Sequence, residues 1–77
     1  MEVNTVTERP IDALDKSKGK NVLVKLKNGE EITGMLKALD LHLNLWLEDV
    51  EIQSKENKRK FNIVLIRGDN ILYASPV

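Results

Sequence analysis

The stretch NVLVKLKNGEEITGMLKALD, Asn21 to Asp40, constrains the fold of this chain more than any other segment. Apolar and polar residues alternate through Val22–Lys27 and again through Glu30–Leu39, with Asn28-Gly29 between them. A strand sends successive side chains to opposite faces, so this alternation predicts two strands with one buried and one wet side. Asn-Gly accepts the positive φ that a tight reversal demands, which makes the pair a strong hairpin signal. Gly34 interrupts the second run. A glycine inside a strand marks a bulge, a bend or a close backbone approach, as small barrels require.

The flanking segments complete the pattern. Pro10 opens IDALDKSK, in which Ile11 and Leu14 stand three apart. Proline and Asp12 suit a helix start, Lys16 and Lys18 its end, and Gly19 its stop, giving a helix of about two turns. Residues 1–8 are polar and expected to form a flexible N-terminus, which leaves 9–77 as a single domain. Downstream, LHLNLWLEDVEI reads as a third strand and QSKENKRK as a charged hairpin loop, a solvated tip rather than a phosphate contact. FNIVLIRG reads as a fourth strand and DNILYASP as a fifth, ended by Pro76. One helix followed by five short, strongly bent strands predicts a mostly-β small open barrel, SH3-like or OB-like. The helix-first order and tight hairpins favour the SH3-like arrangement, because an OB-fold commonly places a helix between its third and fourth strands.

At 77 residues the chain buries a modest share of its surface, so a lone core is marginal. Cysteine is absent, which excludes disulfides and thiolate metal sites, and the single histidine argues against structural zinc. No metal or other cofactor is expected, and self-association remains as the source of extra stability. The fourth strand agrees with that expectation. Phe61, Ile63 and Leu65 share one face while Val64 and Ile66 share the other, so both faces need cover. A second subunit supplies it and also pairs the open sheet edge. If the two sheet edges differ, the contact is head-to-tail and closes into a ring.

Twelve basic and twelve acidic residues balance, so any nucleic-acid binding must come from local geometry rather than bulk charge. No apolar run reaches membrane-span length and no signal-peptide core is present. A soluble, cytoplasmic protein with no membrane partner is expected. No catalytic residues stand out: there is no cysteine, no phosphate loop and no motif pairing His42 with a serine nucleophile.

Two further segments carry chemistry. In LDLHLNLWL, leucine fills every odd position from Leu39 to Leu47, while Asp40, His42, Asn44 and Trp46 fill the even ones. In IRGDNI, Arg67, Gly68 and Asp69 follow the apolar fourth strand. Taken singly, each is ordinary: a surface histidine, an edge asparagine, a turn tripeptide. Their combination and order, with Asn28-Gly29 and Gly34 upstream and ERPIDAL before the helix, resemble an Sm-like protein of the Sm/LSm family, of the archaeal homo-oligomeric type. The resemblance spans Arg9 to Pro76.

The resemblance implies a strongly bent five-stranded antiparallel sheet under a short helix. It implies identical subunits joined through their fourth and fifth strands into a ring, commonly of seven in archaea. It also implies that uridine-rich single-stranded RNA binds around the inner rim, one base per subunit, in RNA processing or ribonucleoprotein assembly. Single-stranded RNA is read by stacking splayed bases on flat side chains and bonding their exposed edges. On this reading His42 and Arg67 sandwich the base and Asn44 matches the uracil edge. Asp69 orients Asn44, Asp40 holds the loop or the arginine, and Gly68 permits close backbone approach. At Trp46 the family usually carries an aliphatic residue, so no role transfers; a packed or interface tryptophan is the simpler reading, and stacking of a further base the alternative. A second, lateral RNA site of some relatives finds Arg9 here, but Leu39 offers no aromatic ring. The competing function is a ring-shaped protein scaffold with little RNA dependence. A nuclease is the weakest reading, since Glu48, Asp49 and Glu51 read more simply as a solvated strand end. No small-molecule substrate is expected.

Overall fold

The computed structural model describes residues 9–77, so the expected flexibility of 1–8 lies outside the described residues. A single helix, α1 (Pro10–Asp15), leads into β1 (Asn21–Leu26), β2 (Glu31–Leu39), β3 (Leu45–Ser54), β4 (Asn57–Ile66) and β5 (Ile71–Pro76). The strands form one antiparallel sheet in the order β4-β3-β2-β1-β5. The expected helix-first, five-stranded, bent-sheet architecture is the one observed.

The helix is shorter than IDALDKSK suggested. Arg9 and Asp12 open it, with the Arg9 backbone N–H donating to Asp12 Oδ2 at 2.8 Å and the guanidinium reaching Asp12 Oδ1 at 3.1 Å. After Asp15 the chain turns through Lys16–Gly19, and Gly19, at φ 83, donates its N–H to the Leu36 carbonyl at 2.7 Å. That bond fastens the turn onto the sheet.

Three irregularities bend the sheet. Thr33 pairs with Glu51 and Met35 with Glu48, so Gly34 faces both Asp49 and Val50, and Asp49 takes φ 54. A Cβ at Gly34 would lie 3.1 Å from both the Glu48 carbonyl oxygen and Val50 Cγ2, which explains the glycine at this bulge. Lys37 is the extra residue in a second shift between Leu36 and Ala38, and Leu72 in a third, where Lys25 pairs with Tyr73 but Leu26 with Ile71. The bent sheet encloses Val22, Val24, Ile32, Leu36, Leu45, Leu47, Val50, Ile52 and Ile66, with Leu14 of α1 packed against them. Each fully buried aliphatic side chain contributes about 1.5–3 kcal/mol.

Two expected element boundaries are corrected. The third strand does not begin at Leu41: β2 ends at Leu39 as expected, but residues 40–44 form a turn and β3 starts at Leu45. QSKENKRK is not a loop, because β3 runs to Ser54, β4 starts at Asn57, and only Lys55-Glu56 turn, with Lys55 at φ 48. Lys58 pairs across to Glu51 of β3 at 3.4 Å, and Arg59 reaches Glu30 in the β1–β2 turn at 3.2 Å. The Lys58–Glu51 cross-strand pair suits an exposed two-stranded ladder.

β4 and β5 are the two sheet edges. On β4, Ile66 is buried and Val64 half-buried, while Phe61, Ile63 and Leu65 are exposed, Leu65 to 72%. The core therefore covers one face of β4 and leaves the other bare in a single subunit. Among the described residues, no helix is long and apolar enough to cross a membrane.

Candidate functional site

The turn between β2 and β3 is organised by one carboxylate. Asp40 Oδ1 accepts the backbone N–H of His42 at 2.9 Å and of Asn44 at 3.0 Å. The backbone closes the same loop, with Leu43 N–H on the Asp40 carbonyl at 3.0 Å and Asp40 N–H on that of Asn44 at 3.2 Å. Leu43 is driven to φ 61, a left-handed conformation that costs a leucine energy and that the surrounding bonds hold in place. The side chains of Asn44 and Asp40 complete the knot, Nδ2 donating to Oδ2 at 3.1 Å. The Asn44 amide beside the carboxylate, with its backbone bonds, holds the Asp40 carboxyl below its ordinary 3.8, and the His42 N–H and ring add to the effect.

A second loop meets this one. Between β4 and β5, Gly68–Asn70 make a single 3₁₀ turn, and the Gly68 N–H donates to Asn44 Oδ1 at 2.8 Å. The approach leaves no space for a side chain. A Cβ at Gly68 would overlap the His42 carbonyl oxygen and come within 2.8 Å of the Leu43 carbonyl carbon and oxygen. Glycine is required here by contact rather than by a positive φ.

The two loops together line one open recess of about 520 Å³ bounded by His42, Asn44, Arg67, Gly68 and Asp69. Five of the six residues singled out in the sequence thus share one wall, and Asp40 stands behind it as the brace. One expected role is corrected. The Asn44 amide is oriented by Asp40 and by the Gly68 N–H, while the Asp69 carboxylate lies 3.9 Å from Arg67 Nε. Of the two roles expected for Asp40, its contacts are those of holding the loop.

The chemistry left free is specific. An amide has two N–H donors and two acceptor lone pairs; Asp40 takes one donor and Gly68 one lone pair. One donor and one acceptor remain. The Arg67 guanidinium is 80% exposed, and its 3.9 Å pairing with Asp69 is loose enough for a ligand to displace. Among the described residues, no cluster of histidine, cysteine or carboxylate side chains is arranged to hold a metal ion.

Trp46, the even position after Asn44, does not line this recess. Trp46 lies within β3, opposite Ala38 and Leu65, and lines a different recess together with Asn44 and Asp40. Sequence reasoning missed that recess, because a regular alternation through residues 40–46 hides the reversal that creates it.

The LSM domain pattern matches residues 12–76. An snRNP Sm-like protein of Thermococcus kodakarensis is 49% identical over 73 residues, which span 94% of this chain and 96% of the relative. The Sm protein of Pyrococcus abyssii, solved in complex with a uridine heptamer, matches with a TM-score of 0.85 and 42% identity over 91% of this chain and 100% of that one. A heptamer from P. aerophilum matches with a TM-score of 0.85 and 42% identity over 94% of this chain and 97% of that one. Fold, motif positions and whole-length similarity agree, and the chain belongs to the LSM domain family.

Proposed function

We propose that this chain is a non-catalytic subunit of a homo-oligomeric ring that binds uridine-rich single-stranded RNA at its inner rim, working in the cytoplasm in RNA processing or ribonucleoprotein assembly. The observation that carries this reading is the Asn44 amide, fixed at both ends by Asp40 and Gly68 yet keeping one donor and one acceptor free. Uracil presents O4 as acceptor beside N3–H as donor, which complements that pair. Cytosine presents the opposite order, so the same contacts leave polar groups unpaired. His42 and Arg67 stand on the same recess and supply flat faces for stacking.

Assembly follows from the edges. β4 and β5 leave backbone groups unpaired at opposite ends of the sheet, and β4 adds a bare apolar face. Pairing β4 of one copy with β5 of the next satisfies both and repeats without a two-fold axis, which is the geometry of a ring. The heptamer from P. aerophilum and the uridine complex from Pyrococcus abyssii support this assembly and this ligand. Repetition makes the binding useful, since single stacked bases contribute only about 1–3 kcal/mol each.

Native mass spectrometry of the purified protein, alone and with matched oligo-uridine and oligo-cytidine, tests both parts. A closed oligomer that takes up the uridine strand in preference is expected. A monomer refutes the ring. A ring indifferent to both strands refutes the uridine site and favours a protein scaffold.

A further inference from the structure

The contacts assigned to the base leave Asp69 without a part. His42 and Arg67 supply flat faces and Asn44 an edge, while the Gly68 N–H holds Asn44 in place. The Asp69 carboxylate lines the same recess and is 72% exposed, with Arg67 Nε at 3.9 Å as its charge partner among the described residues. That distance exceeds a hydrogen bond and leaves the carboxylate's lone pairs open to a donor. In a site for a polyanion such a group repels phosphate and offsets the charge of Arg67. It favours binding only by accepting a hydrogen bond from the ligand.

We propose that Asp69 accepts the ribose 2′-hydroxyl of the bound uridine and so makes the site select RNA over DNA. The proposal rests on the reading of the recess as a uridine site. Elimination carries it. An ionised carboxylate only accepts hydrogen bonds. Along its chain, oligo-uridine offers two kinds of donor, uracil N3–H and the ribose 2′-OH; O2, O4 and the phosphates only accept. The N3–H goes to the free lone pair of Asn44 Oδ1, whose other lone pair takes the Gly68 N–H. The 2′-OH is what is left for Asp69. Placement agrees. The sugar leaves uracil at N1, across the ring from the C4 edge that faces Asn44, so the ribose lies in the part of the recess away from that amide. The Asn44 side chain bonds Asp40 and Gly68, and Asp69 stands beside Arg67 instead. A hydroxyl on a carboxylate makes a charge-assisted bond, stronger than one between neutral groups. The 2′-OH is also the group by which a protein tells RNA from DNA. Base identity is then read by Asn44 and sugar identity by Asp69, from the two loops that the Gly68–Asn44 bond joins.

Oligo-uridine and oligo-2′-deoxyuridine of equal length share every base and phosphate and differ only at the 2′ position. Their affinities are measured by anisotropy at one salt concentration, on rings of verified mass, for the wild type, Asp69→Ala and Asp69→Asn. The wild type should bind the ribose strand at least about fivefold more tightly. Asp69→Ala should bring the two affinities toward parity. Ribose binding should weaken, while deoxyribose binding holds or strengthens because a negative charge has left the site. Asp69→Asn keeps a carbonyl acceptor and should restore part of the preference. Deoxyribose also differs in pucker, but that acts on all three proteins alike, so the part of the preference that depends on Asp69 reports the contact. A wild type indifferent to the sugar, or a preference unchanged in Asp69→Ala, overturns the assignment and leaves the uridine site standing. An equal loss for both strands also overturns it and makes Asp69 a positioning residue for Arg67. Absence of oligo-uridine binding by the wild-type ring removes the uridine and sugar readings together.

Discussion

The Gly68 N–H donates to Asn44 Oδ1 across 24 residues of sequence, at 2.8 Å, and so couples the β2–β3 turn to the β4–β5 turn. Neither loop has a hydrophobic interior of its own, and polar bonds set their mutual position. The Asn44 amide is thus held by the loop that carries Arg67. Replacing Asn44 with alanine removes the bond to Gly68, the bond to Asp40 and the free edge at once. Asn44→Ala should reduce the preference for oligo-uridine over oligo-cytidine by about tenfold, more than it lowers binding to oligo-cytidine. Competition titrations with the two oligonucleotides check this, and an unaltered preference would remove Asn44 from the role of base reader.

Gly68→Ala should be far more damaging than a single methyl implies. The added Cβ would strike the backbone of His42 and Leu43, which cannot move aside as a side-chain tip could. Relief requires the two loops to separate, breaking the Gly68–Asn44 bond. A stability loss of about 1–3 kcal/mol is expected, together with weakened oligo-uridine binding. Denaturant unfolding and anisotropy measure the two effects.

Acid should release the β2–β3 turn. The carboxyl of Asp40 titrates below 3.8 in the folded chain because the Asn44 amide and the loop N–H groups bond its charged form. A depressed carboxyl stabilises the fold fully above its unfolded value and loses that contribution as pH falls through the folded value. Loop order should therefore hold constant from neutral pH to about pH 5 and fall below about pH 4. Asp12 is also depressed, by Arg9, so global acid melting mixes two groups. Amide resonances of His42 and Asn44, followed by NMR, isolate the turn. In Asp40→Asn their acid transition should vanish.

The sequence is informative where one residue's chemistry decides the structure alone. Asn28-Gly29 marked its hairpin, Gly34 its bulge, and the chain order of Asp40, His42, Asn44 and Arg67 to Asp69 singled out residues that the fold gathers together. It misleads where pairing decides. Leucine at every second position from Leu39 to Leu47 satisfies the strand pattern, yet residues 40–44 turn, because Asp40 offers two backbone groups a better partner than a ladder would. Charge and turn-forming residues gave QSKENKRK the look of a loop, whereas the β3–β4 ladder continues through Lys58 and Arg59, with Glu51 on β3 and Glu30 in the β1–β2 turn as their charge partners. Asp69 stood out as the partner of Asn44 because it is a carboxylate; the backbone of Gly68, invisible to composition, fills that place.

The bare face of β4 offers a test of assembly independent of RNA. Ile63 is 55% exposed on the edge strand, away from the core. Ile63→Asp should leave the subunit folded, because solvent receives the charge, but should oppose docking of the next copy, which would bury it. Light scattering after size exclusion should find smaller species with an unchanged circular dichroism spectrum. An intact ring would place the interface elsewhere. Ile66→Asp, by contrast, puts a carboxylate in the core at a position only 5% exposed and should unfold the chain.

Arg67→Ala separates binding from structure most cleanly. The side chain is 80% exposed and its one charge partner among the described residues, Asp69, lies at 3.9 Å, so its removal should change stability by less than about 0.5 kcal/mol. Its loss from the recess removes both a stacking face and a positive charge. One stacked base is worth about 1–3 kcal/mol, so each subunit should lose binding by roughly fivefold to a hundredfold, multiplied wherever several subunits hold one strand. The salt dependence should also flatten, since each lost arginine releases fewer counterions from the RNA. Oligo-uridine titrations at several salt concentrations, on rings of verified mass, distinguish the outcomes. Equal affinity and equal slope in the variant would mean that the guanidinium never meets the RNA, and His42 with Asn44 would then have to hold the base from one side only.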